Sequence, residues 1–360
     1  MAVSKKAKAI YMGFFDGMEI HTANLITNIK EQKIMLNNLD RSFSLSKAEE
    51  KEIKDFWKPY GGISTNWCRY YYSKNGIFDP RYIPNTLYFT KIDQHFNMRK
   101  LGWGFNDKNY YSCFFNDVKQ PKTFVRKIGS LLFDEDYKLL TIKEAIKKVE
   151  TEKEIIVKPS QESGSGRGIS FYNTEKDIAK IIEFLNNKTE KDYVVQEIVK
   201  QHESLNNIYS KALNTIRITT LLMDDGVHIL SSILRMGSGG SRVDNASNGG
   251  LSVGINPDGS LNKFGHILYK GTAVDHHPQG FVFEGFRISY FQDVIDTVNR
   301  LAQHIGNFRL VSWDMTVDKD GEVILIEANM RKGGIAIHQF NNGPLFGDLT
   351  KRVLNEVFVR

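Results

Sequence analysis

Apolar positions change their period several times along the chain. Up to about residue 60 they recur at helical spacing, with Ile53, Phe56, Trp57 and Tyr60 closing the run, and Ser46-Lys-Ala-Glu49 carries the reciprocal capping pattern that opens a helix. Aromatic residues then crowd positions 61 to about 110 without a sustained period, and Pro80 and Pro84 break any long element. Ordered loops packed by their own rings are expected there. Thr141-Ile-Lys-Glu144 opens a second capped helix with Ile142, Ala145, Ile146 and Val149 on one face, and Thr174 opens a third bearing Ile178, Ile181, Ile182 and Leu185. Short apolar or alternating runs around them, Glu154 to Lys158, Gly168 to Tyr172 and Tyr193 to Val199, read as strands.

Strands dominate the remainder. Ile216 to Met223 and Val227 to Met236 flank the turn signal Asp224-Asp225-Gly226, and Leu251 to Ile255 and Leu261 to Tyr269 flank Pro257-Asp258-Gly259. A helix over Phe291 to Ile305, with Val294, Ile295, Val298 and Leu301 on its buried stripe, stops before Gly306. Leu310 to Val317 and Glu322 to Asn329 then close a hairpin on Asp318-Lys319-Asp320-Gly321. Centred on Lys319 and Asp320, it pairs Asp314 with Leu325, and two-residue alternation puts Glu327 and Asn329 on the face of Asp314. The pattern predicts an α+β fold with antiparallel sheets and no internal repeats.

Composition narrows the setting. The 360 residues, 41% apolar and 12% aromatic, suffice for an ordinary globular core in two or three lobes. Cys68 and Cys113 stand far apart, which suggests neither a disulfide framework nor a zinc site and fits a reducing cytoplasm. Asp16 and Glu19 interrupt the mildly apolar N-terminus before a signal or membrane span would form. A net charge of +6 suits anionic small molecules, but the basic residues are dispersed and no nucleic-acid-binding module is recognisable.

Three segments carry candidate chemistry. The oxygens of Asp314, Glu327 and Asn329 are what Mg2+ accepts, and Mg2+ shares its shell with water and phosphate rather than filling an all-protein cage. Lys158-Pro-Ser-Gln-Glu-Ser-Gly-Ser-Gly-Arg-Gly168 lies between two expected strands, where glycines let backbone amides approach an anion. It is neither a Walker A loop nor a dinucleotide fingerprint, since each of those opens a helix. Tyr193 to Val199 is an apolar strand ending in polar residues and followed by Glu203, an arrangement suited to an adenine edge and ribose hydroxyls. No Ser-His-Asp or Cys-His order implies a protein nucleophile. His276 and His277 read as turn-packing residues, and the Trp and Tyr residues of positions 67 to 72 as packing for the N-terminal lobe.

With these elements in this order, the chain resembles the ATP-grasp superfamily over about residues 105 to 345. Through Tyr82-Ile-Pro84, Asp107-Lys108-Asn109, His277-Pro278-x-Gly280, Ile326-Glu-Ala-Asn329 and Gly343-Pro-Leu-Phe-Gly347 it is similar to the sugar-transfer-associated ATP-grasp proteins. The resemblance implies a helical, aromatic-rich lobe over residues 1–104 and two α+β subdomains, 105–200 and 201–360, that grip ATP. It implies that Lys158 contacts the α- and β-phosphates and that Lys108 is the earlier nucleotide-binding lysine. Ser163, Gly164, Ser165, Gly166 and Gly168 would form the lid. Gln196, Glu197 and Ile198 would line adenine, with Glu203 at the ribose, and Asp314, Glu327 and Asn329 would hold one or two Mg2+ ions, for which Mn2+ substitutes.

The chain departs from many ligases of this fold by placing Ser312, not arginine, two residues before the first metal carboxylate. Arg217, Arg235 and the segment Arg242-Val-Asp-Asn245-Ala-Ser-Asn248-Gly-Gly250 resemble the arginine and Asn-x-x-Gly-Gly elements of amino-acid-ligating relatives. Arg217 and Arg235 are therefore candidates for a substrate carboxylate or the departing phosphate, and Asn248 for a metal or acyl-phosphate oxygen. The expected activity is ligation of a small-molecule carboxylate to an amine through an acyl phosphate, with sugar-linked substrates in surface-polysaccharide metabolism. A kinase on the same fold and a non-turnover nucleotide-binding scaffold in glycan assembly remain open.

Overall fold

The computed structural model describes residues 5–161, 167–187, 191–244, 250–267, 273–331 and 333–359, with side chains from residue 20 onward. It divides into two compact units, Met1–Phe96 with Gly343–Arg360, and Asn97–Asn342. Among the described residues, no helix is long and apolar enough to cross a membrane.

In the first unit the helix Lys5–Asn38 precedes Lys47–Trp57. The second opens on its capping box: Ser46 Oγ accepts the Glu49 N–H at 3.2 Å, and Glu49 Oε2 accepts the Ser46 N–H at 2.7 Å. Where loops are expected the structure has a further helix, Asn66–Asn75, burying Trp67, Tyr70 and Tyr71. Their i, i+3, i+4 spacing is helical, but Tyr72 continues the aromatic run off that face and hides the period. Gly76 ends the helix at φ 71°, a conformation that favours glycine. The following irregular chain packs against it, with Tyr71 stacked on Tyr82 at 5.0 Å and donating to Asn85 Oδ1 at 2.7 Å. The unit ends with Thr350–Phe358.

The second unit contains two antiparallel sheets. The smaller has the order β3-β2-β1-β6-β4-β5, from β1 (Thr123–Ile128), β2 (Leu131–Phe133), β3 (Leu139–Leu140), β4 (Glu154–Pro159), β5 (Ser170–Asn173) and β6 (Tyr193–Glu197). Helices Ile142–Val149 and Ile178–Asn186 cover it, and Ala145, Val149, Ile181 and Leu185 meet Val125, Ile155, Val157 and Val195 in one core. Thr141 caps the first of these helices: its Oγ1 accepts the Glu144 N–H at 3.3 Å, and Glu144 Oε2 accepts the Thr141 N–H at 2.8 Å. Thr141→Ala is expected to cost about 1 kcal/mol, read as a lower urea midpoint with an unchanged slope.

The larger sheet has the order β11-β10-β9-β8-β7-β12-β13. Its strands are β7 (Thr215–Met223), β8 (Gly226–Met236), β9 (Leu251–Ile255), β10 (Leu261–Ile267), β11 (Ala273–Val274), β12 (Leu310–Val317) and β13 (Val323–Asn329). The far end of the run expected to reach Tyr269 lies outside the described residues. Every residue of β12 is buried, and its two faces differ. Val311, Trp313, Met315 and Val317 join Ile216 and Ile218 of β7 and the helix Phe291–His304 in the main core. Ser312 and Asp314 point the other way, beside Thr219 and Arg217, and this polar face carries the site.

The β12–β13 hairpin differs from its expected register. Met315 pairs with Leu325, but Asp314 pairs with Glu327, so Ile326 is an extra residue in a β-bulge. Asp314 and Glu327 are therefore directly opposed rather than diagonal, and Ser312 opposes Asn329 on the same face.

Candidate active site

Alternation along β7 puts Arg217 between two core isoleucines, and the β7–β12 register sets it directly opposite Asp314. The guanidinium grips the carboxylate at both ends, Nε to Oδ1 and Nη2 to Oδ2, each at 2.6 Å. Arg235, near the end of β8, adds Nη1 to Oδ2 at 3.2 Å and lies 3.5 Å from Asp244 Oδ1. Asp244 also accepts from the Thr215 hydroxyl. Burial opposes charge on Asp314, but the two arginines override it and hold the carboxyl below its usual range. Burial likewise lowers Arg217, and Asp314 reverses that, leaving it above the ordinary arginine value.

The two lysines approach from the smaller sheet. Lys108, in a 3-10 turn after Asp107, donates to Glu327 Oε1 at 2.7 Å and is 6% exposed. Its turn is fixed to the end of β4: the Lys108 N–H donates to Ser160 O at 2.9 Å, and Gln161 Nε2 donates to Asp107 Oδ2 at 2.9 Å. Lys158 stands on β4, partly buried, and no hydrogen bond or ion pair joins its ammonium to another described residue. Burial, and then repulsion by Lys108, bring it down to about 8 against the pull of Glu327 and Asp244.

Behind Asp314 lies a neutral network. Ser312 Oγ is 2.9 Å from Thr219 Oγ1, which is 3.2 Å from His338 Nε2, while His338 Nδ1 is 2.9 Å from Ser231 Oγ. Burial and the two arginine charges push His338 down to about 3, so the imidazole is uncharged at neutral pH. Ser312 thus anchors a hydroxyl chain, and the arginine next to Asp314 comes from the neighbouring strand.

The structure brings together Lys108, Lys158, Arg217, Arg235, Asp314, Glu327 and Asn329. The remaining candidates stand elsewhere or outside the description. Gln196 spends its amide on Thr123 Oγ1 at 3.1 Å, and Glu197 accepts the Lys122 N–H at 2.8 Å. Ile198 follows β6 on a linker that reaches the hairpin through His202 N–H to Val317 O at 2.8 Å, and Glu203 is exposed on the next helical turn. Gly168 is described, at φ 77°. Ser163, Gly164, Ser165, Gly166 and Asn248 lie outside the described residues. Arg242 pairs with Glu154 at 3.6 Å and lies 4.1 Å over the Phe171 ring. His277 is buried, its Nε2 2.8 Å from Gly237 O. Asp244, Thr219 and His338 were not anticipated; only Asp244 had a signal, lying within the segment from Arg242 to Gly250.

Four cations thus face three carboxylates, Asp314, Glu327 and Asp244, a balance suited to a polyanion. Among the described residues no three His, Cys, Asp or Glu side chains are grouped to hold a metal by themselves. Among the described residues Glu327 has one oxygen on Lys108 and no partner for the other, and the buried Asn329 Nδ2 has no hydrogen-bond partner. Two carboxylates and an amide fit a divalent cation that takes its other oxygens from phosphate and water, and a phosphate oxygen would satisfy the orphaned amide.

These features are those of an ATP-grasp protein: two antiparallel sheets, with one lysine on β4 and a second on the turn tied to its end, beside an Asp and a Glu-x-Asn on the larger sheet. The family described as sugar-transfer associated ATP-grasp matches residues 90–355, and the chain belongs to that family. A comparison with curated proteins finds no match. Among solved structures the chain is similar to an N5-carboxyaminoimidazole ribonucleotide synthetase in complex with ADP, at 11% identity over 63% of this chain and 45% of that one, TM-score 0.38. It is similar to the L-amino acid ligase from Bacillus licheniformis at 15% identity over 70% of this chain and 47% of that one, TM-score 0.40. For the D-alanyl-alanine synthetase A from Vibrio cholerae O1 biovar eltor the figures are 15%, 72%, 66% and 0.43. The chain therefore spans less than half the length of the first two and 66% of the third.

Proposed function

We propose that this protein is an ATP- and Mg2+-dependent carboxylate–amine ligase acting in sugar-linked or surface-polysaccharide metabolism in the cytoplasm. The observation that carries the reading is the Arg217–Asp314–Arg235 cluster beside the Lys108–Glu327 pair and Lys158, whose ammonium is joined to no other described residue. In this reading residues 105–200 and 201–360 are the two α+β subdomains that grip the nucleotide. Lys108 and Lys158 bind its phosphates, residues 163–168 cover them, Gln196 to Ile198 line adenine with backbone groups, and Glu203 takes the ribose. Asp314, Glu327 and Asn329 would hold Mg2+, which would supply charge neutralisation during phosphoryl transfer.

A substrate carboxylate oxygen bonds to the γ-phosphorus as the bond to ADP breaks. The amine then attacks the acyl carbon, and phosphate leaves with the proton that the amine gives up. Arg235 is the cation for this charge, since it touches Asp314 and Asp244 only at longer range while Arg217 is committed to Asp314. Asn248 is proposed beside it. No protein nucleophile is needed, because positioning and charge neutralisation supply the rate enhancement.

The test is incubation with ATP, Mg2+ and panels of sugar acids and amines. ADP, phosphate and an amine-dependent amide are expected together. A stable phosphorylated product would replace the ligase by a kinase, and nucleotide binding without hydrolysis under every acceptor would replace it by a scaffold.

A further inference from the structure

A cavity of about 320 Å3, at the small end of ligand pockets, has Ser112, Asn116, Lys122, Thr123, Arg126 and Glu135 in its lining. Its buried charge is Arg126, on β1 and 3% exposed. A charge taken out of water is ordinarily paired with an opposite one. The hydrogen bonds of Arg126 instead run to neutral oxygens: Nη1 donates to Asn109 O at 2.7 Å and Lys108 O at 3.4 Å, and Nη2 to Ser112 Oγ at 3.0 Å. Nε has no hydrogen-bond partner among the described residues. Tyr137 covers the guanidinium, its ring centroid 4.8 Å from the central carbon, and does so from a left-handed backbone at φ 60° that tyrosine seldom adopts. In Arg217 the Nε–Nη2 edge grips the carboxylate of Asp314. In Arg126 the same edge meets the Ser112 hydroxyl, with no carboxylate in contact among the described residues.

We propose that this cavity is an effector site for a small hydroxylated monocarboxylate, whose carboxylate takes the Nε–Nη2 edge of Arg126. That edge offers two parallel N–H donors at the spacing of carboxylate oxygens. At the exposed rim Lys122 and Glu135 carry opposite charges, so the charge left to match is the single one of Arg126. A monoanion matches it, whereas a phosphate dianion exceeds it and is repelled by Glu135. The hydroxyls of Ser112 and Thr123 and the amide of Asn116 in the lining suit hydroxyl groups on the ligand rather than an apolar tail. The path to the nucleotide site is short. The carbonyls that Arg126 holds belong to Lys108 and Asn109, and the Lys108 ammonium donates to Glu327. An anion on Arg126 fixes the guanidinium and through it this turn, so that Lys108 is positioned before ATP arrives. The coupling rests on the proposed nucleotide site; the binding of the carboxylate does not.

Two readouts on the full-length protein test the site. Saturation-transfer difference NMR with glycerate, in the absence of nucleotide, is expected to show binding that is lost in Arg126→Met and in Asn116→Asp. Asn116 is exposed, so Asn116→Asp adds a repelling charge to the lining without breaking a buried contact, and it carries the test should Arg126→Met fail to fold. Inorganic phosphate at the same concentration is expected to leave the glycerate signal in place, and displacement by phosphate would overturn the monocarboxylate assignment. A wild-type protein that gives no signal, or a folded Asn116→Asp protein that gives an undiminished one, would overturn the site. Calorimetry of ATP with and without excess glycerate reads the coupling, expected as an ATP Kd about fivefold lower in the wild type and unchanged in Asn116→Asp. An ATP Kd that glycerate leaves unaltered in the wild type would overturn the effector role while upholding the binding site. Glycerate binding that depends on Asn116, in a protein that binds no ATP, would uphold the site and sink the nucleotide reading.

Discussion

Replacing Asp314 with Asn is expected to lower the unfolding free energy by about 3–5 kcal/mol and to abolish Mg2+-dependent turnover. The substitution is nearly isosteric, so the loss comes from charge. Asp314 is 4% exposed and accepts bidentately from Arg217 and once more from Arg235. Without that charge Arg217, 14% exposed on the polar face of β7, loses the anion it contacts. Urea unfolding measures the stability change, and ADP release the turnover. The double variant Arg217→Met/Asp314→Leu separates the two effects, because replacing a buried pair by apolar residues of similar size restores stability without restoring a carboxylate. It should fold at least as well as Asp314→Asn and remain inactive. An Asp314→Asn protein with an unchanged urea midpoint would mean that the pair contributes no net stability, and one that turns over would remove Asp314 from the proposed metal site.

The hairpin that carries this carboxylate was legible because turn residues and two-residue alternation leave a local trace. Its register was not. Val323, Ile324, Leu325 and Ile326 are all apolar, so that stretch of β13 has no phase, and the extra residue at Ile326 fits either face. Arg217 could be read as a cation set in a buried strand from Ile216-Arg217-Ile218, but its partner lies 97 residues away. No local rule pairs β7 with β12 across the intervening strands and helix. The helix Asn66–Asn75 was missed for the opposite reason: the correct spacing was present, but within an aromatic run too dense to show a period. His338 and Thr219 left no trace, since an isolated His on the short helix Ala336–Asn342 and a Thr in a strand acquire meaning only when the fold brings them behind Ser312. The polar chemistry of the two lysines follows from sequence order, and their mutual repulsion follows only from the fold.

Burial, and then that repulsion, give Lys158 a measurable signature. With a folded value of about 8 and an unfolded value near 10.5, the lysine loses proton affinity on folding. Its charged form is disfavoured in the folded protein, so the penalty is complete below pH 8 and fades as the pH rises from 8 to 10.5. In that window the unfolded chain binds more protons, and stability contributed by this site must rise with pH. At neutral pH the penalty is on the order of 2–3 kcal/mol once partial solvent access is allowed for. Lys158→Met is therefore expected to stabilise the nucleotide-free protein and to flatten its pH dependence between 8 and 10. In the proposed reading a nucleotide polyphosphate adds negative charge beside Lys158, so ATP binding at pH 9 is expected to take up a proton. Calorimetry in two buffers of different ionisation heat detects that uptake. In Lys158→Met it should vanish, with nucleotide affinity reduced by about a hundredfold, the loss of a charge-assisted phosphate contact in a partly buried site. If the wild-type protein takes up no proton at pH 9, or the Met variant is less stable than the wild type at pH 7, then the charge of Lys158 is not disfavoured in the folded protein.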